Sequence, residues 1–290
     1  MATPSGGAIG LLHPGAMGAS VGAALAGRGH RVLWASEGRS TATQERAEAA
    51  GLEDAGAIDR LAGTCGTLIS VCPPDAALAQ AERVAETGFA GVYVDANAVS
   101  PARGRAIGEA VLAGGALAFV DGGIIGPPAW KPGVARLYLS GIEAEEVAAL
   151  FEGSPLEAIA IGSEPGAASA LKMAYAAYTK GTSALLAGIL ALAEREGVAE
   201  ALRGEWAISQ AELVASGEGR ALGSAAKAWR FAGEMEEIAD TFAGAGLPDG
   251  FHRAAAEIFR RWTEFKDVPE PPALEEALAA LLGERAGVTR

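Results

Sequence analysis

The segment Ala8–Gly18, AIGLLHPGAMG, constrains this chain more than any other. A short apolar run meets a turn with two glycines, and an Ala-rich helical pattern follows from Ala16 to Gly27. That is a strand feeding a helix through a Gly-rich turn. Turns of this kind that bind dinucleotides usually read GxGxxG. Here the first position is His13, the second Gly15 and the third Gly18. Gly15 would let the backbone approach a pyrophosphate, and Gly18 would let the helix pack on the strand. Pro14, Ala16 and Met17 complete the turn, where the helix start offers unpaired N–H groups and a partial positive charge. His13 has two readings: a turn residue preceding Pro14, or a hydrogen-bonding partner for a cofactor phosphate or ribose.

The flanking pattern supports a dinucleotide site. Arg31 to Ala35 reads as a second strand, a helix follows from about Thr41, and Thr67 to Cys72 is a further strand ended by Pro73 and Pro74. Gly91 to Asp95 and Leu117 to Asp121 are two more strands, separated by a helix from Pro101 to Ala113. Such alternation predicts an α/β Rossmann domain, a doubly wound and mostly parallel sheet with ligands beyond the carboxyl ends of its strands. Leu137–Ser140 and Ala158–Ile161 read as two short strands. After Pro165 the pattern is helical throughout: Gly166–Glu196, Glu200–Ser216, Leu222–Ala243, Gly250–Lys266 and Pro272–Leu282. The expected organisation is a nucleotide-binding domain over residues 1–163 and an all-α domain over 164–290, joined by a long interdomain helix.

The second strand ends at Ala35, where NAD-specific sites place an acidic side chain for the ribose hydroxyls. This chain reads Ser36-Glu37-Gly38-Arg39-Ser40. Arg39 suits a 2′-phosphate through charge-assisted bonds, and both serines can donate to it. Glu37 competes, because it suits a ribose in an NAD site. The expected cofactor is NADP(H), with Arg39 as a solvated loop charge the alternative.

A net charge of −13 argues against nucleic acid as a partner. Cys65 and Cys72 are the only cysteines, which points to a reducing, cytoplasmic compartment and two small buried thiols. The N-terminus lacks a signal-peptide pattern, and the apolar stretch Ala184 to Ala193 is too short to span a bilayer. No membrane partner and no metal site are expected.

HPGAMG, GRGHRVLW, TLISVCPPD, VDANAVSP, VDGGIIGPP and GAASALKMAYAAYTK follow one another along the chain. In order and spacing they resemble the β-hydroxyacid dehydrogenase superfamily, which includes 6-phosphogluconate and 3-hydroxyisobutyrate dehydrogenases and, more distantly, imine reductases. The similarity spans essentially the whole chain, and is greatest to a branch whose C-terminal domain is uncharacterised. The resemblance implies a homodimer formed through the helical domain and an active site between the domains. It implies that Lys172 is the catalytic general acid or base. VDANAVSP matches the segment beneath the nicotinamide, with Asn97 as the contact and a further catalytic residue, and Cys72–Pro73, with Pro74 beside them, the loop along its ribose. Gly122, Gly123, Ile124 and Ile125 match a substrate-carboxylate loop. Three departures stand out: Ile125 replaces a substrate-binding serine, Ala176 an asparagine beyond the lysine, and Glu236–Glu237 a Lys-Asp pair. They weaken the anchors for an anionic hydroxy acid and favour a less charged or aromatic small molecule.

Reducing a carbonyl builds negative charge on oxygen, so a nearby proton donor is needed. A lysine with its pKa lowered by desolvation suits that role. Tyr175, one turn from Lys172, would relay a proton or orient the substrate, or simply pack. Tyr178 and Lys180 read as structural or interface residues. Ile124, Ile125, Pro127, Pro128 and Trp130 would wall the substrate side, whereas Trp206, Trp229, Phe231, Phe251 and His252 read first as packing. The expected activity is NADPH-dependent reduction of a carbonyl, or its reverse. Imine reduction and a non-catalytic NADPH-binding sensor are the alternatives.

Overall fold

The structure is a computed structural model and describes residues 7–266, 268 and 270–284. Among these, one sheet holds β1 (Ala8–Leu11), β2 (Val32–Trp34), β3 (Glu53–Asp54), β4 (Cys65–Ser70), β5 (Val92–Asp95), β6 (Ala118–Ile125), β7 (Ala135–Ser140) and β8 (Leu156–Ala160). Their spatial order is β3-β2-β1-β4-β5-β6-β7-β8. Every pairing is parallel except β6 with β7. Alternate residues supply the two faces. Leu11, Trp34, Ile69, Val94 and Val120 enter one core layer. Leu12, Leu33, Leu68, Tyr93 and Phe119 enter the other. Both faces are buried, so the strands read as continuous apolar runs.

The crossovers are α1 (Ala16–Ala26), α2 (Thr41–Ala49), α3 (Ile58–Thr64), α4 (Ala77–Glu86), α5 (Pro101–Ala113) and α6 (Ala144–Ala149). The sequence pattern did not predict β3, α3, α4 or α6. Pro73–Pro74 reads as a break, yet Pro74 opens a short 3-10 turn that runs into α4. Proline at a first helical position loses no hydrogen bond, so the pair starts a helix here. A larger correction concerns Gly122–Ile125, expected as a substrate loop. Those residues continue β6, paired with β7 from Asp121↔Ser140 to Ile125↔Arg136, and all are buried.

The long helix is α7 (Ala167–Arg195), followed by α8 (Ala199–Ser209), α9 (Ala211–Leu222), α10 (Ala228–Gly244), α11 (Gly250–Arg261) and α12 (Leu274–Leu282). The expected helix Glu200–Ser216 is two helices, because Gln210 leaves helical geometry at φ −143° and ψ 51°. The one expected to start at Leu222 starts at Ala228, after Gly223 and a 3-10 turn. By length and composition α7 could cross a membrane, and half of that stretch is buried inside the protein. The short segment Ala184–Ala193 therefore understated its apolar length.

The chain divides into two compact units, one ending at Met173 and the other starting at Ala174. The division falls inside α7 and not before it, because the helix's first turns are fastened to β6 (below). In the second unit, Phe231 packs edge-on against Phe259 with centroids 5.6 Å apart. His252 is buried between Phe242 and Phe251. Lys180 pairs with buried Glu234 at 2.5 Å and lies over the Phe231 ring. Trp262 is fully buried, and its indole N–H donates to the Ala277 carbonyl, joining the end of α11 to α12. Burial of such a side chain contributes about 1.5–3 kcal/mol.

Candidate functional site

From β1 the chain winds towards one edge of the sheet, and from β4 towards the other. In doubly wound sheets the ligand crevice lies at that reversal, beyond the carboxyl ends of the strands. Three clusters of side chains sit on this end of the first unit.

The first is the turn after β1. Gly15 caps α1 with extended backbone, φ −67° and ψ −172°, which any residue can adopt. Its need for glycine is spatial. A Cβ there would lie 3.2 Å from His13 Cδ2 and 3.4 Å from His13 Nε2. At Gly18 a Cβ would fall 2.1 Å from the His13 carbonyl oxygen, so no side chain is tolerated. His13 Nδ1 is 2.8 Å from Arg39 Nη1. Arg39 Nη2 also donates to the Leu12 carbonyl at 3.1 Å and reaches Gln80 Oε1 at 3.4 Å. Arg46 Nε donates to the Pro14 carbonyl at 3.5 Å, and its Nη2 to Thr43 Oγ1 at 3.0 Å. Burial, then Arg39 and Arg46, hold the His13 pKa down at about 4. A small cleft beside Arg39 is lined by Leu12, Ala35, Glu37, Ile58, Gln80 and Arg83. Among the described residues no ion pair engages Arg39, Arg46 or Arg83. Ser36 is half-buried and Ser40 exposed, the latter 3.1 Å from Thr43 Oγ1.

The second cluster lies at the ends of β4 and β5. Asn97 is buried, and its amide is fully engaged. Its Oδ1 accepts from the Cys72 N–H at 2.5 Å. Its Nδ2 donates to Ser70 Oγ at 3.1 Å and to Asp95 Oδ1. This side chain ties two strand ends together and orients the Cys72–Pro73–Pro74 turn. Burial pushes the Cys72 thiol up to about 12 and the Cys65 thiol up to about 11, so neither is a nucleophile near neutral pH. Asp95 lies fully buried opposite Asp121 in the β5–β6 register, and its Oδ2 has no partner. Burial, with the Asp121 charge second, pushes the Asp95 carboxyl up to about 8 against hydrogen bonds from Asn97.

The third cluster fastens α7 to the sheet. Asp121 Oδ2 accepts from the Gly166 N–H, the Ser169 N–H and Ser140 Oγ, each at 2.9 Å. Its Oδ1 accepts from Ser169 Oγ. Ser140 Oγ in turn accepts from the Ala168 N–H at 3.0 Å. A carboxylate from a neighbouring strand thus caps the helix and meets its positive end. Gly123 admits this approach: a Cβ there would lie 2.8 Å from Lys172 Cβ and 2.9 Å from the Ala168 carbonyl oxygen. One turn along, half-buried Lys172 donates from Nζ to the Ile124 carbonyl at 2.7 Å. Its ammonium therefore stands at the end of β6.

Several expected site residues lie elsewhere. The side chains of Ile124 and Ile125 are core residues at 5% and 4% exposure, so they do not wall an open pocket. Trp130 is 56% exposed, in the loop after β6 that Ser20 Oγ fastens by accepting the Ala129 N–H. Tyr175 is half exposed. Trp229 lies under Lys266 Nζ at 4.4 Å, and Phe231 and His252 pack within the helical unit, as read. Arg46, Gln80, Arg83, Asp95, Asp121 and Ser169 were not singled out from the sequence. The two Val-Asp pairs, one ending β5 and one in the middle of β6, were the available signal for the carboxylates. Among the described residues no group of three or more His, Cys, Asp or Glu is placed to hold a metal.

Residues 193–262 match the domain of unknown function DUF1932. No curated protein matches the chain. Among solved structures, the chain is similar to a conserved protein of unknown function described as structurally similar to 3-hydroxyacid dehydrogenases. That match has 31% identity and TM-score 0.67, over 89% of this chain and 97% of the other. A conserved hypothetical protein from Sinorhizobium meliloti matches at 25% identity and TM-score 0.70, over 97% and 98%. The 3-hydroxyisobutyrate dehydrogenase of Mycobacterium tuberculosis shares the fold at 18% identity and TM-score 0.67, over 97% and 99%. An imine reductase from Bacillus cereus does so at 17% and 0.55, over 89% and 93%.

Proposed function

Because the chain belongs to the 3-hydroxyacid dehydrogenase-like family, we propose that it is an NADPH-dependent oxidoreductase acting on a carbonyl or hydroxyl carbon. The substrate is a small, weakly charged or aromatic molecule, and Lys172 is the general acid or base. The observation that carries the cofactor reading is the arginine group at the end of β2. Arg39, Arg46 and Arg83 have no acidic partner among the described residues, and Arg39 and Arg83 line one small cleft, which supports a 2′-phosphate there. Apolar Leu12, Ala35 and Ile58 beside them suit an adenine face.

The residues present fit a dinucleotide. The turn is closed to side chains at Gly18 and nearly so at Gly15, leaving backbone N–H groups and the start of α1 accessible to a pyrophosphate. When bound, NADPH supplies the hydride. Lys172 would give an ammonium proton to the substrate oxygen as negative charge develops there, leaving an alcohol and a neutral amine. The Ile124 carbonyl orients Nζ, and the Asp121–Ser169 cap sets the height of the helix that carries it.

NADPH absorbance followed with ketones, aldehydes, hydroxy acids and cyclic imines tests the reading. Lys172→Ala should lower kcat by about 10²–10⁴-fold. An equally fast variant would show that the lysine is not the proton donor. Turnover of imines alone moves the chain to imine reduction, and tight NADPH binding with no turnover identifies a sensor. Arg39→Ala should weaken NADPH more than NADH; equal loss removes the 2′-phosphate reading. We further propose a homodimer through the helical unit. Tyr178, Leu185 and Leu192 recur at seven-residue spacing on α7 and are exposed, as a helix-pairing seam requires. Sedimentation would return a monomer if this is wrong.

A further inference from the structure

The contact between Arg39 and His13 determines where the imidazole carries its proton. A guanidinium holds N–H donors and no acceptor. With Arg39 Nη1 2.8 Å from His13 Nδ1, the histidine nitrogen must accept. A neutral imidazole that accepts at Nδ1 carries its hydrogen on Nε2. Among the described residues Nε2 has no protein partner. It lies 3.4 Å from the place a Gly15 Cβ would occupy, over the residue that caps α1. At that point the first N–H groups of α1 are unpaired and the helix dipole is positive.

We propose that His13 is a neutral Nε2–H donor to the diphosphate of the bound dinucleotide, with its tautomer dictated by Arg39. The proposal rests on the dinucleotide site proposed above. It gives Arg39 two tasks. Nη1 and Nη2 are engaged with His13, the Leu12 carbonyl and Gln80, which leaves Nε and the positive charge for a 2′-phosphate beside Arg83. Replacing the loop's first glycine by histidine thus adds a side-chain donor at the phosphates without adding a titrating charge. The charged groups facing the ring are Arg39 from the loop after β2 and Arg46 from α2. Cys72, Arg83 and Glu37 lie around Arg39. The two arginines and burial keep the imidazole neutral well below pH 6. Binding of the diphosphate should therefore be insensitive to pH from about 5.5 to 8, where an ordinary histidine would titrate.

Long-range ¹H–¹⁵N spectra of the full-length protein test the tautomer without cofactor. The chain has three histidines, and His13→Gln assigns the His13 signals. The expected spectrum shows a protonated Nε2 and a bare Nδ1 from pH 5.5 to 8. Arg39→Ala should raise the His13 pKa from about 4 towards the ordinary 6.5, with burial and Arg46 still holding it below that value. A protonated Nδ1, or a wild-type titration near 6.5, overturns the lock. Binding then tests the donor. His13→Ala should weaken NADH and NADPH alike, by about 10- to 100-fold, as loss of a hydrogen bond to a charged group requires. His13→Gln, which keeps an N–H donor, should recover part of that loss. In Arg39→Ala, NADH should bind more tightly as pH falls through the raised His13 pKa. Unchanged affinities in His13→Ala overturn the donor while leaving the cofactor reading standing. A wild-type protein that binds neither dinucleotide removes both, and the apo spectrum still decides the lock.

Discussion

Replacing Asp95 by asparagine should stabilise the protein, and the gain should grow with pH. Asp95 is fully buried, faces Asp121 across the β5–β6 register, and has one oxygen without a partner. Its carboxyl is raised from the ordinary 3.8 to about 8 by burial first and by Asp121 second. The folded chain therefore keeps this proton while the unfolded chain gives it up. Below pH 3.8 both states are protonated and the group adds no penalty. As pH rises from about 4 to 8, the unfolded state ionises alone, and stability falls by about 1.4 kcal/mol per pH unit. Across the window this reaches several kcal/mol. Asparagine mimics the protonated acid: its carbonyl can still accept from Asn97 Nδ2, and its amide takes the place of Oδ2. Urea unfolding of both proteins between pH 5 and 8 reads the difference directly. The variant's advantage should widen steadily with pH. A constant difference, or a wild type that gains on the variant as pH rises, would refute the placement of a proton on Asp95.

The other carboxylate of the pair, Asp121, holds the start of α7. Asp121→Ala leaves the buried N–H groups of Gly166 and Ser169 without their acceptor and should cost about 3–5 kcal/mol in urea unfolding. A loss below 1 kcal/mol would mean that the cap is dispensable. Gly123→Ala forces a Cβ against Lys172 Cβ and the Ala168 carbonyl and should cost about 1–3 kcal/mol. Because the clash displaces the turn bearing Lys172 and not the cofactor loop, kcat should fall while the NADPH dissociation constant holds. A variant with weakened NADPH binding and normal kcat would contradict that assignment.

Much of the nucleotide end was legible from local pattern. His13, Gly15 and Gly18 occupy fixed positions in a strand–turn–helix unit, and Arg39 follows the second strand, so the chemistry is encoded within a few residues of chain. Arg83 and Gln80 were not legible, because α4 brings them to Arg39 from across the sheet. Asp121 was hidden differently. Val-Asp within a strand carries no local mark of a helix cap; that role exists only because Ser169 and Gly166 arrive at it from 45 or more residues away. Gly122–Ile125 misled the sequence reading for a related reason. Two adjacent glycines suggest a loop, whereas here Gly123 is the gap that lets α7 lie against β6.

Hydrophobic periodicity and glycine spacing by themselves determined the doubly wound sheet, its helical second half and the dinucleotide turn, since these follow from backbone geometry and nearest neighbours. The proton states were decided by the tertiary structure. His13 is neutral because it is buried and Arg39 and Arg46 fold back over it, and Asp95 holds a proton because it lies in a dry core where parallel pairing sets it beside Asp121. Electrostatic environment is a sum over atoms brought together from distant parts of the chain. No window of sequence contains that sum.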